Sequence, residues 1–419
     1  MKRLIFLYQI IFIPAFVHSQ DLYFPPVNDA NWDTIAPSSI GWCANSIDSL
    51  YNYLEQNNTK AFILLKDGKI VLEQYFNGHD VNSNWYWASA GKSLTAFLVG
   101  IARENGLLSI NDTSSKYLGD GWTSCLPEQE KKITIKHQLC MTTGLDDEVV
   151  DPYCTLDTCL VYKADAGNRW AYHNGPYTLL DSVLIKTTRK SMNTFVYQEL
   201  FNTAGIKGAF VKSDYNNVFY STARVMARFG LLILNKGEWA DTKILDDTAY
   251  INAMLSPSQE LNKSYGYLWW LNGQESFMIP QSQYVFSGWL NTNAPADMVA
   301  ALGKNGQFIN VVPSKNLVWI RMGDAPDDVL VPYLMNDKIW EYINRLECQS
   351  NGLKINSDDQ VSVYPNPVQN LLTIEAPAES VVKLYDISGT LIAEFSTGSF
   401  NMSPFKRGIY LLHIRFASG

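Results

Sequence analysis

Ser89 and Lys92 stand three positions apart, at the head of an apolar stretch that continues through Leu98. If a helix opens there, hydroxyl and amine share one face, one turn apart. An amine held against a hydroxyl can activate a serine nucleophile without histidine. By itself the pair is weak. Ser89 could equally be a helix cap, and Ser-x-x-Lys recurs at Ser380 and Ser403. Those two fall on strand or loop patterns, where the lysine would not fold back onto the serine. A working site also needs a second proton carrier for the leaving group. It needs a substrate-binding cation or donor, and two N–H groups for an oxyanion. Tyr172-His173-Asn174 offers a tyrosine and an amide, in a loop ahead of a new apolar helix. Lys304-Asn305-Gly306 offers a cation just before Gln307 and a strand-like run.

The rival chemistry, a Ser-His-Asp triad, finds little support. Only five histidines occur in 419 residues, and His18 falls in the leader discussed below. No Gly-x-Ser-x-Gly elbow surrounds Ser89, because Trp87 holds the position two before it. His137 fits a structural helix-start position. No Cys-x-x-Cys occurs and no His/Cys cluster has zinc spacing, so neither a metal nor any other cofactor is expected. A net charge of −8 provides no basic footprint for nucleic acid.

The elements that must hold these residues can be read from periodicity. Ile47, Leu50, Tyr51 and Leu54 predict an amphipathic helix. Residues 61–65 and 70–72 flank Asp67-Gly68 and predict a β-hairpin. Residues 93–260 are mostly helical in pattern, with a clear helix at 222–232 that Asn235-Lys236-Gly237 stops. Strand signals return at 265–270, 298–302, 307–312 and 317–322, before a closing helix at about 331–346. This order predicts an α/β lobe split in sequence, with a helical lobe inserted. Polar residues 349–360 read as a linker. Residues 361–419 read as a small all-β module, with strands at 371–374, 381–385 and 408–414.

Lys2 and Arg3 precede an apolar run to Val17, interrupted only by Gln9, which predicts a secretory leader over residues 1–19. The run is too short for a stable membrane span. Residues 20–348 would then form the main domain. Six cysteines in an exported chain favour disulfides. The expected pairs are Cys154–Cys159, Cys125–Cys140 and Cys43–Cys348.

In this order, Ser89-x-x-Lys92, Tyr172-x-Asn174 and Lys304-x-Gly306 resemble the serine β-lactamase and penicillin-binding protein superfamily, in its class C-like branch. That branch includes D-Ala-D-Ala carboxypeptidases, β-lactamase-like esterases and 6-aminohexanoate-dimer hydrolases. Residues 133–145, ending in Thr143-Gly144-Leu145, and Ser221-Thr222-Ala223-Arg224 are similar to further segments of the family. The resemblance spans roughly 40–346. It implies the β-lactamase/transpeptidase-like fold, an antiparallel sheet flanked by helices. It also implies roles. Ser89 would be acylated, Lys92 would take its proton, and Tyr172 would act as general acid and base. Asn174 would bind a substrate amide and orient Lys92. Lys304 would lower the Tyr172 pKa and meet a substrate carboxylate, while the N–H groups of Ser89 and Gln307 would form the oxyanion hole. Asn305 stands where true β-lactamases carry Thr or Ser, which turns the expected substrate from a β-lactam toward another amide or ester. The expected substrate is a small molecule or a peptide-like one.

The tail resembles the C-terminal sorting domain of type IX secretion cargo. The residues that carry this are Tyr364-Pro365-Asn366-Pro367, Leu384-Tyr385-Asp386-Ile387-Ser388-Gly389 and Arg407-Gly408-Ile409-Tyr410. It implies handling by the type IX machinery, with passage through the periplasm to the cell surface or beyond. The basic-ended last strand usual in that module is absent after Phe416-Ala417-Ser418-Gly419, so the reading expects a truncated end.

Overall fold

The computed structural model describes residues 22–27, 31–325, 329–348, 361–377 and 380–415. The expected leader and linker lie outside them. The chain divides into two compact units, Met1–Cys348 and Gln349–Gly419.

The first unit is built on α1 (Ala44–Gln56) and the hairpin β1 (Thr59–Lys66) and β2 (Lys69–Tyr75). Asp67 and Gly68 make the turn with φ of 52° and 81°, the left-handed pair that a tight hairpin turn requires. After β3 (Trp85–Tyr86) come α2 (Gly91–Glu104), α3 (Asn174–Thr188), β4 (Gly208–Ser213), β5 (Asn216–Ser221) and α4 (Ala223–Leu234). The unit closes with β6 (Trp270–Leu271), β7 (Val299–Gly303), β8 (Gln307–Val312), β9 (Leu317–Gly323) and α5 (Tyr333–Ile343). Six strands form one antiparallel sheet in the order β2-β1-β9-β8-β7-β6.

The central strands are covered on both faces, so they read as continuous apolar runs rather than alternating ones. Every residue of β8 and β9 is buried. α4 packs on β8 and β9. Only a glycine permits this approach: a Cβ on Gly230 would lie 2.5 Å from Val318 Cγ1. Trp319 of β9 meets Trp340 of α5, with ring centroids 5.8 Å apart. Of the region predicted to be helical, α2, α3 and α4 are its long helices. It also holds a hairpin, β4–β5, that the helical pattern did not predict. β5 pairs β3 as well as β4, forming a small second sheet. At the 265–270 signal, only Trp270 and Leu271 form a strand.

Two of the expected disulfides are present, Cys43–Cys348 and Cys154–Cys159. The third is not, and Cys125 and Cys140 remain thiols. The two sulfurs face different neighbours. Cys125 Sγ lies 4.0 Å from the Leu160 carbonyl. Cys140 is buried, which pushes its thiol up to about 11, against a hydrogen bond with Ser258.

The second unit has β10 (Ser362–Tyr364), β11 (Leu371–Glu375), β12 (Val381–Asp386), β13 (Leu391–Ser396), β14 (Gly398–Asn401) and β15 (Tyr410–Arg415). They form two three-stranded sheets, β10-β11-β14 and β13-β12-β15. Leu372 and Ile374 of one meet Val382 and Leu384 of the other in a single apolar cluster. That is a small sandwich with one buried face per sheet.

Candidate active site

Ser89 lies where β3 turns into α2. Trp87 anchors the approach: its ring is fully buried and its Nε1 donates to Ser221 Oγ at 2.8 Å. Its backbone N–H donates to the Phe219 carbonyl at 2.8 Å. Ala88 follows with φ of 45°. A left-handed alanine costs about 1–2 kcal/mol and persists only where its surroundings enforce it. The turn carries Ser89 into a single 3₁₀ turn, Ala88–Ala90, that leads directly into α2.

Lys92 Nζ donates to Ser89 Oγ at 2.8 Å. The lysine is 4% exposed and has no carboxylate partner among the described residues. Burial alone pulls its ammonium down from 10.5 to about 7. Besides Ser89 Oγ, its charged form meets aromatic faces, with Nζ 5.0 Å from the Tyr172 ring centroid and 4.5 Å from that of Tyr177. Tyr177 is held in place by its hydroxyl, 3.3 Å from Thr95 Oγ1.

Tyr172 stacks on Trp270, with centroids 5.8 Å apart and planes at 24°. Burial pushes its phenol well above the ordinary range, while the nearby Ser89 side chain pulls the other way. Ser89 Oγ therefore has the amine bonded to it and the phenol in its neighbourhood. Asn174 is the first residue of α3 and is buried, and its Oδ1 has no partner among the described residues. No hydrogen bond joins it to Lys92 among those residues.

These side chains open on a cleft of about 320 Å³. Ser89, Lys92, Asn174, Lys304 and Asn305 line it, with Tyr86, Tyr153, Tyr177 and Tyr220. The β4–β5 hairpin adds Ser213, Asn216, Asn217 and Val218. A larger cavity of about 730 Å³, between Trp32, Phe201 and Arg228, contains neither Ser89 nor Lys92.

Lys304-Asn305-Gly306 is not a strand segment but the turn joining β7 to β8, with Asn305 at φ of 62°. Asn305 Nδ2 donates to Tyr86 Oη at 2.6 Å. From beneath, the fully buried Arg321 guanidinium donates to the carbonyls of Asn305 and Gly306 at 3.0 and 2.8 Å. Gly306 and Gln307 do not line the cleft. A Cβ on Gly306 would collide with Arg321, and Gln307 is buried with its Nε2 on the Gly323 carbonyl. The residue that meets the nucleophile's backbone is Gly303. A Cβ there would lie 2.7 Å from Trp87 O, 2.8 Å from Ala90 N and 3.0 Å from Ser89 N. β7 passes Ser89 at that point because nothing projects from it. Sequence reasoning missed Gly303, Tyr153 and Asn217, none of which carries a local signal.

His137 caps its own short helix: its Nδ1 lies 3.1 Å from the Thr134 backbone N. His173 is buried, and burial draws it down to about 4. It does not line the cleft. Among the described residues, no group of three or more His, Cys, Asp and Glu side chains could hold a metal ion. None of their helices is long and apolar enough to cross a membrane.

Residues 55–326 match the family model described as Beta-lactamase, and residues 362–419 that of the secretion system C-terminal sorting domain. An uncharacterized protein of Alkalihalophilus pseudofirmus is 24% identical over 296 residues, covering 62% of this chain and 81% of that protein. A candidate 6-aminohexanoate-dimer hydrolase from Bacillus anthracis superposes with a TM-score of 0.58 at 19% identity, covering 77% of this chain and 89% of the other. A candidate beta-lactamase from Bacteroides dorei does so with a TM-score of 0.57 at 15% identity, covering 74% of this chain and all of the other. These likenesses extend the shared fold across nearly the whole of each neighbour. With the family model covering well over half of its length, the chain belongs to the beta-lactamase family and ends in a secretion sorting domain.

Proposed function

We propose that this protein is a secreted serine hydrolase that cleaves an ester or amide bond through an acyl-enzyme on Ser89. The observation that carries the reading is Lys92 Nζ at 2.8 Å from Ser89 Oγ, buried without a counter-charge and drawn to about 7. A lysine in that state is neutral in a large fraction of molecules near neutrality and can accept the serine proton. Ser89 Oγ attacks the carbonyl carbon, and the oxyanion develops toward the backbone N–H of Ser89 and the end of β7 at Gly303-Lys304. The proximity of Gly303 to Ser89 N favours that pair over Ser89 with Gln307. Tyr172, in the neighbourhood of Ser89, carries the proton to the leaving group and then activates water for deacylation. Lys304 and Asn174 are the groups for a substrate carboxylate and a substrate amide.

Asn305 has its amide committed to Tyr86, which supports an ester or open-chain amide over a β-lactam. The names of the structural neighbours span both an amide hydrolase and a beta-lactamase. The sorting-domain match, with the leader expected at 1–19, supports export to the cell surface or the medium through the type IX route.

The test is labelling with a fluorophosphonate, followed by a panel of p-nitrophenyl esters, nitrocefin and short amide oligomers. Labelling that disappears in Ser89→Ala, with ester or amide turnover, is the expected result. Labelling that survives Ser89→Ala would remove the assigned nucleophile.

A further inference from the structure

Asp181 is a buried carboxyl that the proposed reaction does not use. It lies one turn beyond Tyr177 on α3 and is 7% exposed. Its Oδ2 accepts a hydrogen bond from Asn217 Nδ2 at 3.0 Å, and its Oδ1 has no partner among the described residues. Asn217 belongs to β5 and lines the catalytic cleft. A carboxylate only accepts hydrogen bonds, so it can take only the amino end of an asparagine amide. With Nδ2 turned back to Asp181, the carbonyl end is left for the cleft. Asn217 Oδ1 makes no hydrogen bond within the described residues. The buried Asn174 Oδ1, also without a partner there, lines the same cleft.

We infer that Asp181 is a positioning residue that locks the Asn217 amide with its carbonyl oxygen toward the cleft, and so selects acyl groups that carry an N–H donor. The preferred substrates are then N-acylated amino-acid or peptide-like acyl groups rather than plain fatty or keto acyl groups. The inference rests on the hydrolase reading above and narrows its substrate class. It also gives the unpredicted hairpin a purpose, since β5 is the strand that brings Asn217 to the cleft.

The test uses two nearly isosteric esters, p-nitrophenyl N-acetylglycinate and p-nitrophenyl 4-oxopentanoate, which differ by NH against CH₂. The readout is the ratio of their kcat/KM values, each divided by its rate of hydroxide hydrolysis. The assay is run at pH 8, above the value of about 7 to which burial raises the Asp181 carboxyl. Wild type is expected to favour the N-acetylglycinate roughly five-fold or more, the share of one neutral hydrogen bond. Asn217→Leu and Asp181→Leu are expected to bring the ratio to about one. A merely structural role for Asp181 would lower both rates together and leave the ratio alone. If Asp181→Leu does not fold, Asn217→Leu, at a half-buried position, decides the matter. A wild-type ratio near one, or a ratio that either folded variant leaves unchanged, overturns the inference while the hydrolase reading stands. Failure of wild type to cleave either ester or to take up a fluorophosphonate overturns that reading, and the inference with it.

Discussion

Replacing Lys92 by methionine should make the protein more stable and leave it inactive. Methionine keeps the length of the side chain and removes the buried amine. Lysine in the unfolded chain titrates at 10.5, and in the site at about 7. At about 1.4 kcal/mol per pH unit, holding it there costs on the order of 4–5 kcal/mol at neutral pH. Against this, the variant loses the hydrogen bond to Ser89 and the contacts with two tyrosine rings, together about 1–2 kcal/mol. A net gain of about 3 kcal/mol at pH 7 remains. The sign with pH follows from a folded pKa below the unfolded one. Between about 7 and 10.5 the unfolded chain binds the extra proton, so wild type gains stability as pH rises, and below about 7 it carries the full penalty. The advantage of the variant should therefore be flat below pH 7 and smaller by about 2 kcal/mol at pH 9. Asp181 acts in the opposite sense: its stabilisation is complete below 3.8 and lost as pH rises through about 7. It is common to both proteins and cancels in the difference. Urea unfolding followed by tryptophan fluorescence reads the right unit, because all twelve tryptophans precede Cys348. A Lys92→Met protein less stable than wild type at pH 7, or a stability gap that does not change between pH 7 and 9, would refute the argument that the lysine is held neutral by burial.

Four further outcomes are expected. Tyr172→Phe should lower kcat by about 10²–10⁴-fold with little change in KM. In wild type kcat/KM should rise with pH through about 7 as Lys92 loses its proton, and stopped-flow pH profiles of a p-nitrophenyl ester check both. Gly303→Ala should reduce kcat by at least about 10²-fold, because its methyl must push aside the backbone of Trp87 and Ser89 that frames the oxyanion; a variant with wild-type turnover would place the oxyanion site elsewhere. Titration of the denatured, unreduced protein with Ellman's reagent should find two thiols, Cys125 and Cys140, and a count of zero would restore the third disulfide.

What was legible in the chain was what local geometry determines. Ser89 and Lys92 meet because a helix sets their spacing, and the Asp67-Gly68 turn dictates its hairpin whatever surrounds it. The central strands announced themselves as unbroken apolar runs because helices cover both of their faces. The β4–β5 hairpin did not. Its residues are mostly exposed or half-exposed, with no clean alternation, and β5 is held as much by its pairing with Trp85 and Tyr86 as by its own pattern. Motif spacing picked out Lys304-x-Gly306, while the glycine that lies against the Ser89 backbone is Gly303. Nothing local distinguishes the two: Gly303 acquires its role only when β7 is laid against the Trp87–Ala90 turn, and Gly306 acquires its own from Arg321 beneath it. The pairing of Cys125 with Cys140 failed for the same reason, since nearness in sequence does not aim two thiols at each other.

The Cys43–Cys348 bond joins the residue before α1 to the last residue of the first unit, across 305 positions. It closes residues 43–348 into one covalent loop. A protease that removes the sorting tail by cutting beyond Cys348 would leave that loop intact. A single nick within it would leave both fragments attached through the bond. At the cell surface or beyond, where the sorting domain directs the chain and proteases abound, a closed loop turns one cut from a dismemberment into a survivable injury.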